Sequence, residues 1–381
     1  MKFLHISDLH IGKVVNDFSM LEDQRFILEQ IQGMAGENEV DAIIIAGDIY
    51  DRAIPPAEAV ALFDSFLWGL HRMGICVLMI SGNHDSPERL SFGAELLKEQ
   101  GVHIAGGMRQ ELATVTFTES REIQFVLMPF FKPAQAGVKT TQEAVEAVLR
   151  EYWQKEKAGN EKRSRVLVTH FFVTNAGKEP ELSDSETTIH VGGLDNVDVS
   201  LFEGFDYVAL GHIHRPQQIG AGSVWYAGSP LKYSFGEANQ TKTAILVTFG
   251  EQGYPEVRQL PLRPLREMRK IKGSLKEILE RAGTEVAGRQ DYIQAVLTDR
   301  GELIDPIGTI RSVYPNVMQI VREEAAGGRG GGSSVTSASG SLLEKKDSTE
   351  LFADFYREVR EEEISVEGRQ MITEIIKEVE L

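Results

Sequence analysis

At 381 residues the chain is too long for one ordinary domain, and 42% apolar with 25% charged residues is the balance of a folded globular protein rather than a disordered one. No apolar run approaches the roughly 20 residues that cross a bilayer, and a single cysteine, Cys76, excludes a disulfide within the chain. The 40 basic against 57 acidic side chains leave a net charge of −17, which argues against a grip on nucleic acid by overall field but not by a local groove or bound cations.

The chain passes directly from Met1 into the strand-like run KFLHISDLH, so no basic-then-apolar leader is expected and the cytoplasm is the expected compartment. A helix is expected over 19–34, then the run DAIIIAGDIYD, a second helix over 56–73 with prolines suited to its first turn, and CVLMISGNHD. RVLVTHF and DYVALGHIH repeat the format of aliphatic residues ending in polar, metal-capable side chains. Near-continuous Val, Ile and Leu point to strands buried on both faces, and open α/β sheets build their sites at the carboxyl ends of such strands. Shorter runs, ATVTF, EIQFVLMP, VWYAG and TAILVTF, supply a second set of strands. The expected fold class is α/β, two packed sheets flanked by helices, over residues 1–262. Cys76 and His5 lie inside strand-like runs and read as core groups, while His71, His103 and His190 have no ligand-like context.

Residues 265–325 change pattern to a small α+β unit, with helical LKEILERAG and IGTIRSVYP between strand-like segments. Residues 326–342 are low-complexity Gly and Ser, the composition of a flexible linker. Residues 343–381 form a helical tail of two amphipathic stretches, with Leu351, Phe352, Phe355 and Val359 on the first and Met371, Ile372, Ile375, Ile376 and Val379 on the second. Each stripe needs a cover, either the parent domain or a separate partner.

Phosphodiester cleavage between two cations about 3.5–4 Å apart needs a bridging carboxylate and several further ligands arriving from different strands. The strand ends supply Asp8 and His10 in D-x-H, Asp48 in GDIYD, Asn83 and His84 in GNHD, His170 after the fourth run, and His212 and His214 in GHIH. Each motif alone is weak; five in order, using five of the nine histidines, are strong. Gly47, Gly82 and Gly211 would let the backbone turn sharply beside an ion. Mixed imidazole, carboxylate and carboxamide ligands suit Mn²⁺ or Fe²⁺ better than an all-oxygen Mg²⁺ cage, without excluding Mg²⁺ or Zn²⁺.

These five blocks, over residues 1–236, resemble the signature of the calcineurin-like metallophosphoesterase family. The resemblance implies a four-layer sandwich in which Asp8, His10 and His214 hold one metal, Asn83, His170 and His212 the other, and Asp48 bridges both. It places His84 beside the scissile phosphate as a hydrogen-bond donor or acid, a role worth about 100- to 10,000-fold in rate; the alternative is a brace behind the ligands. Asp51, three residues after Asp48, stands either to orient that imidazole or, equally, to serve in a turn or cap. Within the family, SDLHIGK, GNHDSPERL, GHIHRPQ and AGSPLKYSFGE are most similar to the SbcD-type nucleases and their eukaryotic double-strand-break repair counterpart. That branch implies a manganese-dependent exonuclease on duplex DNA and endonuclease on single strands and hairpins, acting in DNA end processing, recombination, replication and repair, with ATP used by an SbcC-type coiled-coil ATPase. It also implies that 265–325 caps DNA, that 343–381 clasps the ATPase, and that the chain is a homodimer within a heterotetramer. The dimer would use helices near the second and third blocks, where Leu62, Phe63, Phe66, Leu67 and Leu70 crowd one helix; those residues read equally as plain core. Lys13, Arg52, Arg89 and Lys232 stand beside the blocks as candidate phosphate contacts. The alternative is a phosphatase or cyclic-nucleotide phosphodiesterase with the same metal core, which would need neither the capping unit nor the tail.

Overall fold

The computed structural model describes residues 1–108, 111–118, 121–156, 163–183, 195–250, 252–285, 287–323 and, further on, 356, 364–365, 368–369, 371 and 373. They belong to two units, Met1–Glu323 and Glu324–Leu381.

In the first unit the aliphatic runs form two six-stranded sheets. One runs in the order Pro255–Pro261, Thr243–Phe249, Lys2–Ile6, Ala42–Ala46, Cys76–Ile80, Val102–Ala105, and its last four strands are mutually parallel. The other runs Gln217–Gln218, Val224–Tyr226, Tyr207–Leu210, Ser164–Thr169, Glu122–Met128, Ala113–Thr118, with a parallel centre and antiparallel edges.

Side chains alternate across each strand, so a continuous apolar run feeds two cores at once. Phe3, Ile44 and Leu78 pack against Phe125, Val166 and Ala209 between the sheets. Their neighbours Leu4, Ile43, Ile45 and Val77 face outward onto the helices Leu21–Glu37 and Ala57–Arg72. Val126, Leu167 and Val208 do the same beneath the helix Thr141–Glu156. The result is helix, sheet, sheet, helix; each fully buried Ile or Leu contributes about 1.5–3 kcal/mol, and Ile44→Ala would cost about 2–5 kcal/mol.

His5 is the one polar side chain buried within Lys2–Ile6, with Nδ1 2.9 Å from the Tyr207 hydroxyl and Nε2 3.1 Å from the Leu210 carbonyl. Burial lowers its pKa to about 3. Burial likewise pushes the Cys76 thiol up to about 11.

The first helix begins at Leu21, later than the expected 19, because Phe18–Ser19 pairs with Val14–Val15 in a short ribbon. In the second helix Leu62, Phe63, Phe66 and Leu70 are buried in the chain's own core and Leu67 packs half-buried against it, which selects the core reading of the two left open by the sequence. The exposed apolar residues of that helix are Val60 and Trp68, followed in the chain by Phe92 and Leu96 at 88% and 78% exposure.

Met268–Gly273, Tyr292–Leu297 and Val317–Arg322 make a third, parallel sheet. Its helices Leu275–Thr284 and Pro306–Arg311 cover Ile271, Ile293 and Val317 in a separate small core. The first of them starts in a capping box: Ser274 Oγ accepts from the Glu277 amide, and the Glu277 carboxylate accepts from the Ser274 amide. This sheet is clipped to the first helix through Asp23, which accepts from Arg266 Nη1 (2.7 Å) and the Tyr292 hydroxyl (2.7 Å).

In the second unit Tyr356, Gly368, Arg369, Met371 and Thr373 are helical, and Met371 is 63% exposed. The other tail positions named above, Leu351, Phe352, Phe355, Val359, Ile372, Ile375, Ile376 and Val379, and the linker, lie outside the described residues. Among the described residues no helix is long and apolar enough to cross a membrane.

Candidate metal centre

Loops leaving the carboxyl ends of five strands bring the polar motifs to one point. Residues 8–11 run beside 47–49, tied by amide-to-carbonyl bonds from Asp8 to Gly47 (3.1 Å), His10 to Asp48 (3.0 Å) and Ile11 to Ile49 (2.9 Å). Asn83 and His84 follow Cys76–Ile80, His170 follows Ser164–Thr169, and His212 and His214 follow Tyr207–Leu210. Asp8 (φ 52°), His10 (44°), Asp48 (50°) and His212 (99°) all occupy the left-handed region. A side chain there costs of order 1–3 kcal/mol, so such residues persist where the surroundings over-determine them, and they cluster at functional sites.

The side chains meet closely. His10 Nε2 lies 3.1 Å from His214 Nε2, and Asn83 Oδ1 lies 3.1 Å from His170 Nε2 and 3.0 Å from His212 Nδ1. Between the two groups stands Asp48, whose Oδ2 is 3.3 Å from His170 Nε2 and 3.7 Å from His10 Nε2, while its Oδ1 accepts from the His84 amide at 2.9 Å. Asp8 accepts from the His212 amide at 2.9 and 3.1 Å and from Ser7 Oγ at 2.5 Å.

Among the described residues, three sets of ligand atoms lie within 4.8 Å of one another: Asp8, His10, His214; His10, Asp48, His84; and Asp8, Asp48, His170. Two imidazole nitrogens facing each other cannot both carry protons comfortably, and a carboxamide oxygen caught between two more gathers further lone pairs at the same place. His10 Nδ1 is moreover buried without a hydrogen-bond partner. This donor set fits divalent cations.

The electrostatics agree. Burial holds His10 well below its usual range despite the nearby Asp48 carboxylate, and so keeps the imidazole neutral. Burial alone would raise Asp48, but the His170 imidazole beside it holds the carboxyl well below its ordinary value. His170 answers in kind: burial opposes its charge, Asp48 outweighs burial, and the ring rises to about 9. Burial raises Asp8 to about 6.

Glycines fill the seams because nothing larger fits. A Cβ on Gly211 would stand 1.9 Å from the Ala46 carbonyl oxygen, and one on Gly47 would stand 2.3 Å from His170 Nδ1. Of these, Gly47 also needs a positive φ (+86°); at Gly211 close approach, rather than the expected sharp turn, sets the residue.

Asp51 does not orient His84 through its carboxylate. The imidazole Nδ1 lies 3.0 Å from the Asp51 backbone carbonyl, while the carboxylate is drawn to Lys13 Nζ at 2.6 Å and faces His10 Nδ1 at 3.6 Å. Of the candidate phosphate contacts, Lys13 is thereby engaged, and Lys232 is held by Glu267 (2.6 Å) and the Ala238 carbonyl (2.8 Å). Arg52 has 76% of its side chain exposed, and Arg89 is exposed.

Three supports have no signal in the apolar runs. Gln24 donates to the His10 carbonyl (2.7 Å) and accepts from the Gly12 amide (2.9 Å). Asp85 accepts from the amides of Ile49, Tyr50 and Gly82 at 2.9–3.1 Å, locking the second and third loops together. Glu237 and Lys242 lie behind His214. The available hints were positional, Asp85 in GNHD and Glu237 at the end of AGSPLKYSFGE, and neither said what the side chain would touch. Beside Asn83 and His212 opens a cavity of about 470 Å³ walled by Phe130, Val138, Lys132 and Lys139.

Residues 1–216 match the family of calcineurin-like phosphoesterases, and residues 264–360 match the SbcD carboxyl-terminal domain, described as the type 5 capsule protein repressor C-terminal domain. A curated relative, the SbcD component of the SbcCD nuclease from Staphylococcus epidermidis, is 30% identical over 376 residues, covering 96% of this chain and 95% of the relative. Among solved structures, a dimetal phosphatase from Danio rerio aligns with a TM-score of 0.43 at 13% identity, over 70% of this chain and 98% of its own. A Thermus thermophilus protein aligns at 0.41 and 15% identity, over 68% and 98%.

Proposed function

Because the chain belongs to the calcineurin-like phosphoesterases, in their SbcD nuclease branch, it is a metal-dependent phosphodiester hydrolase, and we propose that it cuts DNA with the seven converging side chains described above. In this reading Asp8, His10 and His214 hold one divalent ion, Asn83, His170 and His212 hold the other, and Asp48 reaches both. Bound ions of this kind polarise phosphate oxygens and lower the pKa of water to near neutrality. The protein's own part is to hold that charge in a strained, buried frame and to place the scissile phosphate against His84. The Asp51 carbonyl takes the Nδ1 proton side of that imidazole, which leaves Nε2 for the substrate. Lys132 and Lys139 at the mouth of the adjacent cavity attract the flanking phosphates, and Arg52 and Arg89 extend that attraction locally although the net charge is −17.

The observation that carries the reading is the convergence of all five strand-end motifs on one point. The ligand set favours manganese, with iron(II) or magnesium as substitutes. In this reading the chain works in the cytoplasm with an SbcC-type coiled-coil ATPase as a heterotetramer; likeness to a protein named as a subunit of the SbcCD nuclease supports the partnership. It degrades duplex ends as an ATP-dependent exonuclease and opens single strands and hairpins as an endonuclease. Residues 265–325 cap the DNA and the tail at 343–381 clasps the ATPase. Exposed Val60, Trp68, Phe92 and Leu96 support a homodimer face.

The test is cleavage of end-labelled duplex and hairpin DNA with partner, Mn²⁺ and ATP, with and without chelator, beside His84→Gln. Activity abolished by chelator and lowered about 100-fold or more in the variant is expected. Chelator-resistant cleavage would remove the metals from the mechanism, and full activity of the variant would remove His84.

A further inference from the structure

The ring of His214 meets His10 through Nε2, so Nδ1 is the nitrogen turned away from the centre, and 3.7 Å from it stands Glu237 Oε1. Glu237 ends the single turn Phe235–Glu237 and has no exposed surface. Its Oε1 accepts from Ser234 Oγ at 3.1 Å, and its Oε2 lies 2.6 Å from Nζ of Lys242, itself 4% exposed. The same ammonium donates to the His214 carbonyl (2.8 Å), Ser229 Oγ (3.0 Å) and Gln240 Oε1 (3.0 Å). A buried carboxylate alone would be costly, and so would a buried ammonium; paired and hydrogen-bonded they bring no net charge into the core. Such a pair contributes little net stability compared with an apolar replacement, so its presence behind a metal-capable histidine calls for another reason.

We propose that Glu237, paired with Lys242, is the positioning residue for His214, fixing the tautomer that carries its proton on Nδ1 and its lone pair on Nε2, and thereby setting the affinity of one of the two metal sites. The proposal rests on the two-metal reading above and extends it to residues outside the five blocks. At 3.7 Å the contact orients Nδ1–H electrostatically rather than as a full hydrogen bond. A carboxylate behind a ligating imidazole holds the ring and makes it more basic, and its removal lowers metal affinity about 10- to 100-fold. Lys242 adds a second hold, since it grips the backbone of the residue whose ring Glu237 orients.

The test titrates Mn²⁺ by calorimetry into the metal-stripped full-length chain as wild type, Glu237→Gln, and the double variant Glu237→Leu with Lys242→Met. The double variant exchanges the ion pair for apolar side chains of similar volume, which leaves no unpaired charge in the core. Two sites are expected in the wild type. One of them should weaken about 10- to 100-fold in the double variant, with the other unchanged and Glu237→Gln, which keeps an acceptor oxygen, in between. Nitrogen-15 spectra of the metal-free histidine-labelled protein should move His214 away from the Nδ1–H tautomer in the double variant. Wild-type affinity at both sites with an unmoved tautomer overturns the proposal, and so does an equal loss at both sites accompanied by a lower unfolding temperature. A wild-type protein that takes up no Mn²⁺ would instead overturn the two-metal reading itself.

Discussion

Replacing Gly211 by alanine tests whether the centre is as tightly built as its distances indicate. The added Cβ would lie 1.9 Å from the Ala46 carbonyl oxygen and 2.7 Å from His170 Nδ1, where ordinary contact begins at 3.4 Å. The carbonyl must therefore yield by about 1.5 Å, and Gly211 cannot easily retreat because its amide is bonded to the Thr169 carbonyl at 3.1 Å. The methyl drives into the 2.8 Å bond by which His170 Nδ1 is held on Ala46. Overpacking costs about 1–3 kcal/mol and an unpaired buried ring N–H about 1–3 kcal/mol more, so a loss of about 2–6 kcal/mol is expected. A ligand displaced by about 1 Å should also lower turnover by about 100-fold. Chemical unfolding of the metal-free protein reads the first effect, and Mn²⁺ titration with DNA cleavage reads the second. Gly222→Ala is the control: nothing lies within 4 Å of its Cβ, and a change within about 0.5 kcal/mol is expected. A Gly211→Ala protein as stable as that control, with unaltered metal affinity, would refute the reasoning.

His5 is neutral when folded, with its pKa lowered to about 3 by burial, whereas the unfolded chain protonates near 6.5. The unfolded state therefore binds the extra proton; stability is fully present above pH 6.5 and drains away as pH falls toward 3, by about 2 kcal/mol at pH 5. Denaturant midpoints at pH 7.5 and 5 should show a loss larger by about 2 kcal/mol in the wild type than in His5→Gln, and an equal loss in the two proteins would contradict it. Asp23→Ala leaves Arg266 and Tyr292 without their shared acceptor and should cost about 2–3 kcal/mol; limited proteolysis should then release the 264–323 segment faster, and an unchanged digestion pattern would count against the clip. Trp68→Glu with Leu96→Glu places charge on two exposed apolar side chains and should convert the proposed dimer to a monomer by light scattering, an undiminished dimer removing those residues from the interface. Adding Mn²⁺ at about 100 times its dissociation constant should stabilise the wild type by about 2.7 kcal/mol, and an unmoved melting temperature would deny a metal site in the folded state.

The strand ends were legible because each ligand follows an apolar run buried on both faces, so hydrophobic pattern and polar motif reinforce one another. Asp8, His10, Asp48, Asn83, His170, His212 and His214 do come together in space. Residues that act from the side left no such trace. Gln24 lies within a helix whose periodicity reports burial but not what a buried amide touches, and Lys242 precedes a strand as any surface lysine might. Asp51 shows the limit of reading by spacing: its nearness to His84 is real, but the backbone carbonyl makes the contact while the carboxylate turns to Lys13. In the helix Ala57–Arg72 periodicity grouped Leu62, Phe63, Phe66 and Leu70 on one stripe without distinguishing the chain's own core from a partner's surface; burial assigns them to the core.

The ligands are shared between the sheets. Asp8, His10, Asp48 and Asn83 hang from the sheet that contains Lys2–Ile6, while His170, His212 and His214 hang from the one that contains Ser164–Thr169. The nearest of the second group, His170, lies 87 residues beyond Asn83, so a ribosome-bound or half-collapsed intermediate holds an incomplete set of donors. Hydrolytic competence is thus tied to completed assembly of both layers.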